Sequence, residues 1–72
     1  MYLRLRQERI RRKWTQEDVA KVIGLTRTAV HDLETGKQFP SYRVLVKLED
    51  LFHMSHRKLF AAADDASNPT GK

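Results

Sequence analysis

The chain has 72 residues and no cysteine, so it fits one small domain whose core rests on side-chain packing, without a disulfide framework or a thiolate zinc site. No apolar run approaches the roughly 18 residues of a membrane span, and the first residues lack the apolar stretch of a signal peptide, so a cytoplasmic protein is expected. The net charge of +5 is unevenly placed: residues 1–13 hold six basic groups against Glu8, while residues 14–72 hold eight basic and eight acidic groups. The positive field is thereby expected on the first helix and its ends, which suits a polyanion such as DNA.

Leu3 to Lys13 is predicted as helix 1, with Leu5 and Ile10 turned inward. Trp14 is read as a plug between helices 1 and 2. Thr15 is expected to cap helix 2, which runs to Ile23 with Glu17 and Asp18 in its first turn and with Val19, Ala20 and Ile23 on its inner face. Gly24 supplies a left-handed corner, and the small Ala20 lets the next helix cross closely. Thr26 caps helix 3, Arg27 to about Thr35, where Val30 and Leu33 face inward. The helical repeat then turns Arg27, Thr28, His31, Asp32 and Thr35 outward as a polar stripe.

Gly36 ends helix 3, and Pro40 keeps the following connection out of helix. Ser41 caps helix 4, in which Val44, Leu45, Leu48, Leu51 and Phe52 form the most regular apolar stripe of the chain. Ser55 is the expected cap of a short helix 5, His56 to Phe60. The alanines after Phe60 can prolong that helix by a turn, but residues 64–72 carry too little apolar surface to offset the entropy of ordering. The domain is accordingly drawn as 1–60 and a mobile tail as 61–72. The fold class is all-α, a compact five-helix bundle containing a helix-turn-helix.

The stretch Thr15 to Gly36, TQEDVAKVIGLTRTAVHDLETG, with its Thr15-Gln16 start and Leu33-Glu34-Thr35-Gly36 finish, resembles the DNA-binding domain of the Xre family, relatives of the Cro and CI repressors of lambdoid phages. The resemblance runs from about Leu5 to Phe60. It implies a lambda-repressor-like domain that binds double-stranded DNA with helix 3 in the major groove and regulates transcription, most readily as a repressor acting by operator occupancy. The alternative is a protein-interaction module of the same fold, such as an antitoxin or a regulator-sequestering protein.

The resemblance assigns base contacts to Arg27 and Thr28 at the start of helix 3, and His31 and Asp32, one turn on along the same face, are further candidates for base contact. Arginine can donate two parallel hydrogen bonds to guanine O6 and N7, so a guanine is expected in each half-site. Asp32 either accepts from a cytosine amino group or repels wrong sequences, and His31 can donate to a base or a phosphate. Phosphate contacts are expected from Thr15, Gln16, Thr35, Lys37, Ser41 and Arg43, and from Arg4 and Arg6 of the basic helix; Gln16 also resembles a residue that steadies the first recognition side chain. Arg9 and Glu34 correspond to a structural ion pair of the family.

One module reaches half a site, so a homodimer on a palindromic operator, with half-sites about 34 Å apart, is expected either in solution or only on DNA. Phe52, Met54, Leu59 and Phe60 are candidates for the two-fold contact and equally for the core of helices 4 and 5. Neither an enzyme nor a cofactor, metal, membrane or small-molecule partner is expected, since there is no Gly-rich phosphate loop and His53 with His56 lacks a third ligand.

Overall fold

Helix starts leave amides unpaired, and the chain answers this with side-chain oxygens at three of its turns. Thr15 Oγ1 accepts the Asp18 N–H at 3.0 Å while Asp18 Oδ2 accepts the Thr15 N–H at 2.8 Å, a reciprocal capping box. Thr26 Oγ1 accepts from the Ala29 N–H at 3.1 Å, and Ser41 Oγ from the Val44 N–H at 3.3 Å. In the computed structural model of the chain, which describes residues 2–63, these caps open three of five helices: α1 (Arg4–Arg11), α2 (Gln16–Ile23), α3 (Arg27–Glu34), α4 (Tyr42–Phe52) and α5 (His56–Leu59).

The start of α5 is met differently. Ser55 makes no side-chain cap bond; Glu49 Oε2 of α4 accepts the His56 N–H at 2.7 Å and lies 2.8 Å from His56 Nδ1. A carboxylate from a neighbouring helix thus replaces the expected serine. Between α2 and α3, Gly24 adopts φ +76° and its N–H returns to the Ala20 carbonyl at 2.9 Å, the left-handed stop that a β-carbon would strain.

The core consists of Leu5, Val19, Ala20, Ile23, Val30, Leu33, Val44, Leu48, Phe52 and Leu59. Trp14, expected between helices 1 and 2, packs on it edge-on to Phe52 of α4, with ring centroids 5.4 Å apart. Ile10 corrects the inward face of helix 1, because it is 46% exposed. The inward positions of α1 are held instead by Leu5 and by two buried charges, Glu8 and Arg9. Phe52 and Leu59 are fully buried within the chain's own core, so of the four residues named for a two-fold contact only Met54 and Phe60 keep surface.

Both charges on α1 are paired. Arg9 Nε lies 2.6 Å from Glu34 Oε2 and its Nη2 lies 3.3 Å from Oε1, while Nη1 donates to the Trp14 carbonyl at 2.8 Å. Glu34 Oε1 also accepts from Gln16 Nε2 at 3.1 Å, and the Glu34 carbonyl accepts the Leu3 N–H at 2.8 Å. One buried residue at the end of α3 therefore fixes the starts of α1 and α2. Glu8 is met by Arg12 Nη1 at 2.6 Å, and Arg12 Nη2 reaches the Phe52 carbonyl at the end of α4 at 3.0 Å.

Beyond α5 the chain does not continue as helix. Ala62 forms an antiparallel bridge with Leu3, the Ala61 carbonyl accepts the Arg4 N–H at 2.8 Å, and the Ala63 N–H donates to the Tyr2 carbonyl at 3.1 Å. Residues 61–63, which the sequence places in the tail, are thus tied to the segment before α1 by peptide pairing that needs no apolar side chain. The remainder of the expected tail, 64–72, lies outside the described residues. Among the described residues no helix is long and apolar enough to cross a membrane.

Arg9→Met leaves the Glu34 carboxylate buried without its cation and is expected to destabilise the fold by about 3–5 kcal/mol in urea unfolding. Arg9→Met combined with Glu34→Leu removes both charges and is expected to recover most of that loss. A cost below about 1 kcal/mol for the single variant would mean that water reaches the pair.

Candidate nucleic-acid interface

The exposed side of α3 is set by what its other side must bury. Val30 and Leu33 are sunk in the core together with Glu34, so the helical repeat presents Arg27, Thr28 and His31 to solvent. These three line a shallow concavity with Gln16 from the start of α2. Gln16 does not hang free there: its bond to Glu34 anchors the amide, which places a fixed polar group beside Arg27 and Thr28. The concavity joins a guanidinium with five fixed donors, a hydroxyl, an imidazole and a carboxamide, a donor-rich set suited to oxygen and nitrogen acceptors.

Asp32 and Thr35 stand apart from this group. Both are half-buried, and they organise the end of α3: the Asp32 carbonyl accepts the Lys37 N–H at 2.9 Å and the Thr35 hydroxyl at 3.2 Å. A hydroxyl that donates to its own helix has no hydrogen left for a phosphate, and the Thr35 N–H is bonded to the His31 carbonyl at 3.0 Å. The outward stripe read from the sequence is therefore narrower at its C-terminal end. Ser41 behaves oppositely, since its oxygen accepts in the α4 cap and its hydroxyl hydrogen stays available. Thr15, Lys37 and Arg43 are exposed.

The basic helix divides. Arg9 and Arg12 are held in the ion pairs of the fold, and Arg11 lies 3.3 Å from Glu8. Arg4 lines a cleft with Gln7, Glu8 and Arg11. Arg6 turns the other way: its guanidinium carbon sits 4.1 Å from the centroid of the Tyr2 ring, and that ring meets His31 edge-on with centroids 6.4 Å apart. Arg6 thus joins the α3 face through Tyr2, a residue with no motif to mark it, whose placement depends on the Leu3–Glu34 and Ala63–Tyr2 backbone bonds.

The helix-turn-helix family profile matches residues 5–59, from α1 to the last residue of α5. The chain belongs to the helix-turn-helix family. The Xre resemblance carried by Thr15 to Gly36 is borne out. This member of the family is 35% identical over 65 residues to an uncharacterised HTH-type transcriptional regulator of Archaeoglobus fulgidus, covering 90% of this chain and 93% of the relative. It is also 35% identical over 51 residues to a similarly described protein of Methanocaldococcus jannaschii, covering 71% of this chain and 77% of that one. No solved structure matches it.

Among the described residues three carboxylates, Glu8, Asp18 and Glu49, have lowered pKa values, each for a local reason. Glu8 is lowered chiefly by its hydrogen bond from Arg12, against an opposing effect of burial. Asp18 is lowered by the Thr15 N–H and then by the Thr15 side chain, and Glu49 by the His56 N–H and then by the His56 ring. A carboxylate with a folded pKa below its unfolded value adds stability that is complete above the unfolded value, near pH 4, and disappears as pH falls through the folded one. Thermal unfolding followed by circular dichroism is therefore expected to be flat near neutrality and to weaken below about pH 4. Asp18→Asn, which removes one titrating cap, is expected to flatten that acid limb; an identical limb would show that the capping box does not respond to protonation.

Proposed function

We propose that this protein is a sequence-specific double-stranded DNA-binding regulator of transcription, acting in the cytoplasm as a repressor by occupying its operator. The observation that carries the reading is the concavity in which Arg27, Thr28 and His31 of α3 stand exposed beside an anchored Gln16, on a helix whose other side is locked in the core. The names of the archaeal relatives, both HTH-type transcriptional regulators, support it.

In this reading α3 enters the major groove, Arg27 donates to guanine O6 and N7, and Thr28 and His31 contact the neighbouring bases. Asp32, half-buried and outside the lining of that concavity, screens sequences by repulsion more readily than it reaches a base. Lys37, Ser41, Arg43, Thr15 and Gln16 hold phosphates along the groove edges, with Arg6 at the far end of α3. Two copies bind a palindrome. Their contact uses Phe60 and Met54 together with Phe39, which is 77% exposed and has its ring centroid 5.9 Å from that of Phe60.

A second reading, a protein-binding module of the same fold, is favoured by one observation: Phe39 and Tyr42 are both strongly exposed aromatic side chains. Salt separates the two. Six to ten phosphate contacts are expected to lose about 10³–10⁵ in affinity between 50 and 200 mM salt, whereas an aromatic protein contact changes little.

Selection of bound duplexes from a random pool, repeated with Arg27→Ala, tests the base reader. The wild type is expected to enrich a palindrome with a guanine in each half-site, and Arg27→Ala to lose that guanine with a penalty of roughly 1–3 kcal/mol per half-site. Lys37→Ala is expected to weaken all sequences alike and to shallow the salt slope by about one. An unchanged motif with Arg27→Ala would remove α3 as the reader.

A further inference from the structure

Tyr2 precedes the first helix, yet its ring lies against the exposed side of α3. Its backbone is pinned from two directions: the Tyr2 carbonyl accepts the Ala63 N–H at 3.1 Å, and the adjoining Leu3 N–H donates to the Glu34 carbonyl at 2.8 Å. Leu3 in turn bridges Ala62. The backbone that carries the ring is therefore held on one side by the end of α3 and on the other by the strand-like residues after α5. It remains 38% exposed.

Two side chains that face the groove in the proposed complex are arranged around this ring. His31 meets it at 76°, edge-on, with centroids 6.4 Å apart, and the Arg6 guanidinium carbon stands 4.1 Å from its centroid. A guanidinium lying over a ring is held by its face, while its N–H donors point outward in their own plane. Stacking of this kind therefore does not compete with phosphate binding. It removes rotamer freedom before DNA arrives, so less entropy is lost on association.

We propose that Tyr2 is a positioning residue of the DNA interface, which holds Arg6 as a preorganised phosphate ligand and fixes the ring of His31 at the C-terminal end of the recognition surface. The inference rests on the DNA-binding reading above. It makes the segment before α1, seated by residues 61–63, part of the interface through its effect on two other side chains.

The test measures binding to the selected duplex at two salt concentrations for the wild type, Tyr2→Ala, Tyr2→Phe, Arg6→Ala and the Tyr2→Ala/Arg6→Ala pair, with thermal unfolding as a check on folding. Tyr2→Ala is expected to weaken binding roughly two- to tenfold without lowering the unfolding midpoint. Tyr2→Phe keeps the ring and is expected to restore what Tyr2→Ala loses. Arg6→Ala should shallow the salt slope by about one, and Tyr2→Ala should cost much less in the Arg6→Ala background than alone. Additive losses, an unchanged affinity for Tyr2→Ala, or a loss that tracks a lowered unfolding midpoint would overturn the proposal. If binding depends on Arg27 while these outcomes fail, only the role of Tyr2 falls; if the wild type selects no duplex, both readings fall.

Discussion

A carboxylate with no access to water is the constraint around which this small domain is arranged. Glu34 sits at the C-terminal end of α3, where the helix dipole disfavours a negative charge by up to about 1 kcal/mol, and it is fully buried. Desolvation of an ion costs several kcal/mol, so the dipole is the lesser problem and the missing water the greater. The fold answers with donors from two other helices, the Arg9 guanidinium and the Gln16 amide. Satisfying one charge thereby fixes the approach of α1 and α2 to α3, and sets Gln16 beside Arg27. Stability and site geometry are linked through the same atoms.

The second buried charge, next along α1, ties that helix to α4. Glu8 engages Arg12, whose guanidinium extends to the Phe52 carbonyl and lies over the rings of Trp14 and Phe52, 5.7 Å and 5.1 Å from their centroids. A cation there complements the negative end of α4 and covers the aromatic edge of the core. The basic run at the start of the chain is therefore only partly an electrostatic surface. Counting charges along the sequence overstates the field because Arg9 and Arg12 point at internal acceptors.

What the sequence discloses divides along the distance between partners. The caps at Thr15, Thr26 and Ser41, the corner at Gly24 and the inner faces of α2, α3 and α4 all follow from residues within a few positions of one another, where helical geometry leaves little choice. The cap of α5 comes from Glu49, seven residues earlier on another helix, and no local pattern marks it. Ile10 has the spacing of an inward residue and is exposed because Arg9 takes the inner position; that pairing was legible only by resemblance to a family. The end of α4 falls at His53 in a left-handed conformation, φ +55°, with no glycine to announce it. Within the site, Arg27, Thr28 and His31 were readable from the period of α3, whereas Thr35 is half-buried and turns its hydroxyl back to its own helix, and the placement of Tyr2 depends on pairing with residues some sixty positions away.

The bridge between Leu3 and Ala62 has a topological meaning of its own. The first and last described residues lie along one shared edge of the globule, with the Tyr2 carbonyl and Ala63 amide in hydrogen-bond contact. A short peptide splice across that edge would close the backbone into a ring with little rearrangement, and the circular form would have fewer unfolded conformations to exchange for the native one.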